Sequence, residues 1–256
     1  MRFLFVIFFS FSTLFMSGCW WEEEEVRGPI SDGLTPKALF IKASEFKDQN
    51  MLDEAIRVFE QLQASYPSSK YSMQSKLEIP YAMYKAEKYD QALNQLNEFI
   101  KIYPNHFSTP YAYYLRGLIS EDKSKSFLDD YITDNAQRDV SSVKNSINYY
   151  LALIEKFPES QYAIESKTKL VTLRNILARH ELIVAIFYSK KEAYIASVNR
   201  CKYIIEKFPN TPSVAAALHL MAYNYNELGM TKLAEDARRV LEASYPKYTP
   251  HYSLED

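Results

Sequence analysis

Few residues in this chain have types and spacings that could do chemistry. The first is Cys19, which follows an apolar run over residues 3–15 and then Met16, Ser17 and Gly18. Small residues of this kind close a signal peptide, and a thiol placed directly after them can take an acyl chain. The second is Cys201, at an apolar register, where a buried free thiol is the ordinary outcome and a reactive one the exception. Histidines 106, 180, 219 and 251 stand singly with no HExxH spacing, so no metal site is expected. No GxSxG elbow occurs, and none of the glycines at 18, 28, 33, 117 and 229 starts a phosphate loop. The expectation is therefore no catalytic residue, and no cofactor beyond a covalent lipid on Cys19. A net charge of −2 gives no ground for a nucleic-acid partner.

The elements that must position these residues are written as a repeat. Five aromatic-proline steps occur, Tyr66-Pro67, Tyr103-Pro104, Phe157-Pro158, Phe208-Pro209 and Tyr245-Pro246. Twelve residues before each proline stands a small residue: Ala55, Ala92, Ser146, Ser197 and Ala234. Seven residues after it comes a large apolar one (Leu62, Phe99, Leu153, Ile204, Leu241), and eleven after it the aromatic, so all three share one helical face. Proline cannot continue a helix and bends the residue before it out of helical geometry, so five helices stop at matched places. The small-to-proline spacing is that of the second helix of the tetratricopeptide signature, whose phenylalanine slot reads Phe59, Leu96, Tyr150, Cys201 and Arg238. The polar Arg238 suits a terminal repeat. Thr35-Pro36, Thr109-Pro110 and Thr211-Pro212 read as caps opening repeats one, three and five. The fold expected is all-α, a superhelical solenoid of five tetratricopeptide-like helix pairs.

Repeats three and four carry extra chain. In repeat three it lies at 121–142, a polar run without sustained apolar periodicity that reads as a loop, either a recognition loop or a mere insertion. In repeat four no Pro or Gly occurs after Glu159 until Pro209, which predicts one first helix of about 28 residues projecting beyond its neighbours. The domain reading is a signal peptide at 1–18, the cysteine and a tether at 19–33, and repeats one and two at 34–104. Repeat three follows at 105–158, repeats four and five at 159–246, and a tail at 247–256.

The sequence before Cys19 resembles the bacterial lipobox, with Met16 where leucine is usual. An uncleaved anchor is the alternative, although the apolar run is short for a span of about 20 residues. Trp20 and Trp21, four glutamates and Gly28-Pro29 then form a tether reaching at most about 50 Å, with the tryptophans at headgroup level. A helical array of this kind binds through the groove that stacking creates. Tyrosine is frequent, 21 of 256 residues, and those at 111, 113, 114, 149, 150, 223 and 225 either line that groove or fill the space between helices.

The lipobox, acidic tether and five repeats, with the stretches YPSSKYSMQSKLEIPYAMYKAEKYDQA, YPNHFSTPYAYYLRGL and FPESQYAIESKTKL, resemble the BamD family. These are the tetratricopeptide lipoproteins of the outer-membrane β-barrel assembly machine. The resemblance implies a non-catalytic protein anchored on the periplasmic face of the outer membrane. Its carboxy-terminal repeats would dock the POTRA domains of the barrel-forming subunit, and its amino-terminal repeats would receive unfolded barrel proteins. Accessory assembly lipoproteins and outer-membrane lipid are the further partners implied. Arg200, beside Asn199, matches the docking position, with Arg116 and Arg138 as candidates of the same kind. An intrachain pair of Arg200 with Glu192 or Glu206 is the alternative, and the two are compatible. Phe46, Phe59, Tyr81 and Tyr84 are the proposed receptor for the aromatic, apolar ends of barrel substrates. A lipidated scaffold or pilotin of another envelope machine, such as a type IV pilus secretin, is the second reading. A peptidoglycan enzyme is not expected, because the ten residues after Pro246 leave no room for a catalytic domain.

Overall fold

A computed structural model describes residues 33–126 and 140–252. Ten helices lie among them, in five successive pairs. These are α1 (Pro36–Asp48) with α2 (Leu52–Ser65), α3 (Lys70–Lys85) with α4 (Tyr89–Ile102), and α5 (Thr109–Ser126) with α6 (Val140–Lys156). They continue with α7 (Gln161–Lys190) and α8 (Tyr194–Lys207), then α9 (Ser213–Glu227) and α10 (Thr231–Ser244). The five-pair solenoid read from the sequence is the observed fold.

Each aromatic-proline step closes its helix in the same way. The aromatic N–H donates back to the large apolar residue four positions earlier, Tyr66 to Leu62 at 2.9 Å and Tyr245 to Leu241 at 2.7 Å, with the other three between. Its own carbonyl accepts from the N–H three residues on, at 3.0–3.2 Å in all five steps. The step thus ends one helix and turns the chain toward the next.

The turns inside the pairs repeat as well. Asn50, Glu87, Glu192 and Gly229 each take φ between 58° and 71°, the left-handed geometry that closes a helix with a six-to-one bond. Those bonds run from Met51 to Phe46, Lys88 to Met83, Ala193 to Tyr188 and Met230 to Tyr225, at 2.8–2.9 Å.

At the crossing inside each pair no space is left over. Ala55, Ala92, Ser146, Ser197 and Ala234 are all 0% exposed. The two serines satisfy their hydroxyls across the crossing, Ser146 donating to the Gly117 carbonyl at 2.8 Å and Ser197 to that of Ala185 at 2.7 Å. In repeat three a Cβ at Gly117 would collide with the ring of Tyr150, which is itself fully buried.

The first helices of successive pairs touch, α1 to α3, α3 to α5, α5 to α7 and α7 to α9, so they form one row. Helix α7 spans 30 residues, but it does not project free as expected from its length. Its first half buries Leu173 and Leu177 with Val143 and Tyr150 of α6. Its second half buries Leu182 and Ala185 with Cys201 and Ile204 of α8 and Leu218 of α9. It bridges the two ends of the array.

Two other expectations change. Of the three threonines expected to cap, only Thr35 accepts a capping bond, from the Ala38 N–H at 3.2 Å. Thr109 and Thr211 instead donate to the carbonyls of Tyr103 and Phe208, pinning each new helix to the preceding aromatic-proline step. The run at 121–142 is helical at both ends, since α5 continues to Ser126 and α6 starts at Val140. Its centre lies outside the described residues.

After α10 the chain folds back on α9. The Tyr252 hydroxyl lies 2.9 Å from Nδ1 of His219 and donates to the Ala216 carbonyl at 3.2 Å. Burial holds the His219 pKa below its ordinary value.

Two outcomes follow from this packing. Gly117→Ala forces the Tyr150 ring to move and costs about 1–3 kcal/mol, measured as a lower denaturation midpoint and partly recovered by adding Tyr150→Leu. Because the unfolded chain protonates His219 more readily than the folded one, stability is flat above about pH 6.5 and falls as pH drops below it. Melting curves across pH 7.5–5 should show this, with a flatter profile for His219→Gln.

Candidate binding groove and docking residues

The row of first helices encloses a pocket of about 720 Å³. Helix α1 contributes Phe40, α3 contributes Met73, Leu77 and Glu78, and the turn before α5 contributes His106 and Phe107. Tyr111 of α5 and Tyr162 of α7 complete the wall. Lys70, Gln74 and Ser108 also line it, so aromatic and apolar side chains alternate with polar and charged ones.

Phe107 is 86% exposed, and its ring stacks on His106 with centroids 4.4 Å apart. His106 is fixed in turn, its Nδ1 accepting from the Ser108 N–H at 3.2 Å and its edge meeting Phe99 at 5.8 Å. An apolar ring is therefore held out in water at the rim of the pocket.

Behind the rim, tyrosines touch in series. Tyr111 meets Tyr162 at 5.5 Å, Tyr162 meets Tyr114 at 5.3 Å, and Tyr114 meets Tyr150 at 6.0 Å. Burial, reinforced by Glu78, raises the Tyr111 pKa. Burial and a hydrogen bond to Glu165 push Tyr114 up to about 12. Both phenols stay protonated at neutral pH, the Tyr114 O–H being spent on Glu165 and Tyr111 standing at the pocket wall.

The residues singled out from sequence are distributed differently. Phe46, Tyr81 and Tyr84 are half-buried and pack against the amino-terminal core. Tyr84 donates its hydroxyl to Asp122, and Tyr81 lies 6.2 Å from Tyr84. None of the three lines the pocket. Phe59 is 0% exposed, so it is core and cannot meet a partner; this corrects its assignment to the receptor surface.

Arg200 and Asn199 are both exposed on α8. Arg200 pairs with Glu181 of α7 at 3.0 Å, not with Glu192 or Glu206. Its side chain is 44% exposed while that of Glu181 is 13% exposed, so the arginine offers its outer edge to solvent. Arg116 sits between α5 and α6, its guanidinium 3.9 Å over the ring of Tyr149. Cys19 and Arg138 lie outside the described residues. Cys201 is buried, and burial pushes its thiol up to about 12, which leaves it inert at neutral pH.

Among the described residues no helix is long and apolar enough to cross a membrane, and no His/Cys/Asp/Glu group is placed to hold a metal. Fold and groove define a class, the helical-repeat scaffold of tetratricopeptide type. Residues 33–241 match the family model described as outer membrane lipoprotein (YfiO), and the chain belongs to that family. It is 33% identical over 219 residues to the outer membrane protein assembly factor BamD of Neisseria meningitidis serogroup A, covering 85% of this chain and 82% of that protein. It is 31% identical over 236 residues to the BamD of Xylella fastidiosa Temecula1, covering 92% and 80%. Among solved structures, the yeast Sti1 TPR2AB-domain:pHSP90 complex is similar at 12% identity over 83% of this chain and 78% of that one. Its TM-score is 0.42.

The placements of the two phenylalanines set a clear contrast. Phe59→Ala should cost about 3–5 kcal/mol, whereas Phe107→Ala should leave the denaturation midpoint within about 0.5 kcal/mol of wild type. Equal losses for both would mean that the ring of Phe107 is not held in solvent.

Proposed function

We propose that this chain is the lipid-anchored subunit of an outer-membrane β-barrel assembly machine, a scaffold that performs no chemistry of its own. The observation that carries this reading is its likeness to assembly factors over about four-fifths of their length. Cys19 takes the acyl chains, and the tether at 19–33 sets the solenoid close to the membrane. An unfolded barrel protein lays an extended segment along the row of first helices. Its apolar side chains enter the pocket beside Phe40, Leu77 and Phe107, and the Tyr111 hydroxyl hydrogen-bonds its main chain. Because this segment has no folded structure, rings already held in place reduce the entropy lost on binding.

On the carboxy-terminal half, Arg200 docks a POTRA domain of the barrel-forming subunit. Glu181 orients the guanidinium, and the exposed edge receives a carboxylate from the partner, a charge-assisted bond of the kind arginine forms best. Asn199 supplies an adjacent hydrogen bond. Accessory assembly lipoproteins join the same complex.

The reading is tested by mild-detergent purification of the tagged full-length protein, wild type and Arg200→Ala. A POTRA-containing barrel protein should copurify and fall at least tenfold with Arg200→Ala. Unchanged recovery would remove Arg200 from the interface but keep the assembly role, and recovery of a secretin in its place would overturn that role.

A further inference from the structure

Two cations in the middle repeat share one tyrosine and lack an acid. The Arg116 guanidinium lies 3.9 Å over the ring of Tyr149 and 5.6 Å from that of Tyr113. Lys156 Nζ lies 5.3 Å from the same Tyr113 ring and donates to its hydroxyl at 2.9 Å. Arg116 Nε is sealed from solvent with no hydrogen-bond partner. The ion pairs among the described residues use Lys47, Arg57, Lys88, Lys123, Lys169, Arg200 and Arg239, but neither of these two cations.

This arrangement is poorly explained as packing alone. A half-buried guanidinium normally has its donors met by a carboxylate. Here the ring of Tyr149 covers the guanidinium carbon of Arg116 and Nε is sealed, so the two terminal nitrogens are the ones left to meet a ligand. A planar donor edge of this kind matches a carboxylate. Lys156 stands seven residues beyond Tyr149 on α6, about 10 Å along the helix, so a second anionic group can bind at the same time. At about 100° per residue, Arg116 and Tyr113 lie on the opposite side of α5 from Tyr111 and Tyr114. The cation pair is therefore separate from the pocket.

We propose that Arg116 and Lys156 form a docking point for an acidic segment of a partner protein, with one carboxylate on each cation. The recessed position of Arg116 favours a side chain that reaches between α5 and α6 over a flat bilayer surface. The site stands on its own geometry, and the groove reading can fail without affecting it.

The test uses the full chain in mild detergent and a fluorescent hexaglutamate peptide, with hexaglutamine as control, followed by anisotropy. Hexaglutamate should bind and hexaglutamine should not. Arg116→Met and Lys156→Gln should each weaken binding at least tenfold, with Arg116→Lys recovering only part because the flat stacked edge is lost. Melting temperature should stay near wild type in Lys156→Gln, which keeps the test valid even if Arg116→Met fails to fold. Equal hexaglutamate affinity in wild type and Lys156→Gln would overturn the proposal. So would competition by inorganic phosphate or phosphatidylglycerol vesicles as effective as hexaglutamate, since the site would then read anions or lipid and not protein carboxylates.

Discussion

Two helices can cross closely only where neither has a side chain to spare, and the rest of the structure depends on that contact being made five times. Ala55, Ala92, Ser146, Ser197 and Ala234 sit at the crossings with no exposed surface. Four positions later, Phe59, Leu96, Tyr150 and Cys201 fill the space beside the crossing and are likewise fully enclosed. A larger residue at the first set would separate the helices, and a smaller one at the second would leave a void, so the two sets constrain each other. Serine is tolerated because its hydroxyl finds a carbonyl on the opposite helix. In the last repeat the enclosed slot becomes Arg238, which is exposed, and among the described residues no further pair stacks on it.

Once the crossings are fixed, the joints between pairs decide how the row of first helices lies. The aromatic carbonyl accepts from the next turn in all five steps, and Thr109 and Thr211 add a hydroxyl bond to the same acceptor in two of them. These bonds hold successive first helices side by side, and the pocket is the space between α1, α3, α5 and α7. Its most exposed ring, Phe107, stands on such a joint. Pocket and fold thus share one device, since the turn that ends α4 also carries the pocket rim.

Much of this was legible in the sequence because the repeat is local. Each helix end, small residue and aromatic stop lies within twelve residues of the others, and proline marks the register. Phe107 could have been found in the same way. Four residues after the aromatic of each step the chain reads Lys70, Phe107, Gln161, Pro212 and Thr249, and only one of these is a large apolar side chain. What depends on three-dimensional neighbours was not legible. Glu181 pairs with Arg200 from nineteen positions away on a different helix, whereas the acids nearer in sequence do not pair with it. Phe59 and Phe46 look alike as letters, yet one is fully enclosed in the amino-terminal core and the other is partly open. The two burial faces of α7 were also hidden, because its apolar stripe changes partner midway from α6 to α8 and α9.

The same packing explains why groups that could be reactive are held quiet. Burial raises the Cys201 thiol and the phenols of Tyr111, Tyr114 and Tyr150, so at neutral pH each remains protonated and uncharged. A nucleophile or base needs the opposite adjustment, a pKa brought toward neutrality by a neighbouring cation or acid. Glu121, the buried carboxylate of this region, is engaged by Lys169 at 3.2 Å and by the Tyr150 hydroxyl at 3.3 Å, which fixes it as a joint between α5, α6 and α7. Tyrosines kept neutral in a row are well matched to a different task. Tyr111 stands at the pocket wall, whereas Tyr114 gives its hydroxyl to Glu165 and Tyr150 gives its own to Glu121, so the inner two serve as packing behind it. The same burial that keeps these phenols protonated thus joins α5, α6 and α7 into one wall behind the pocket.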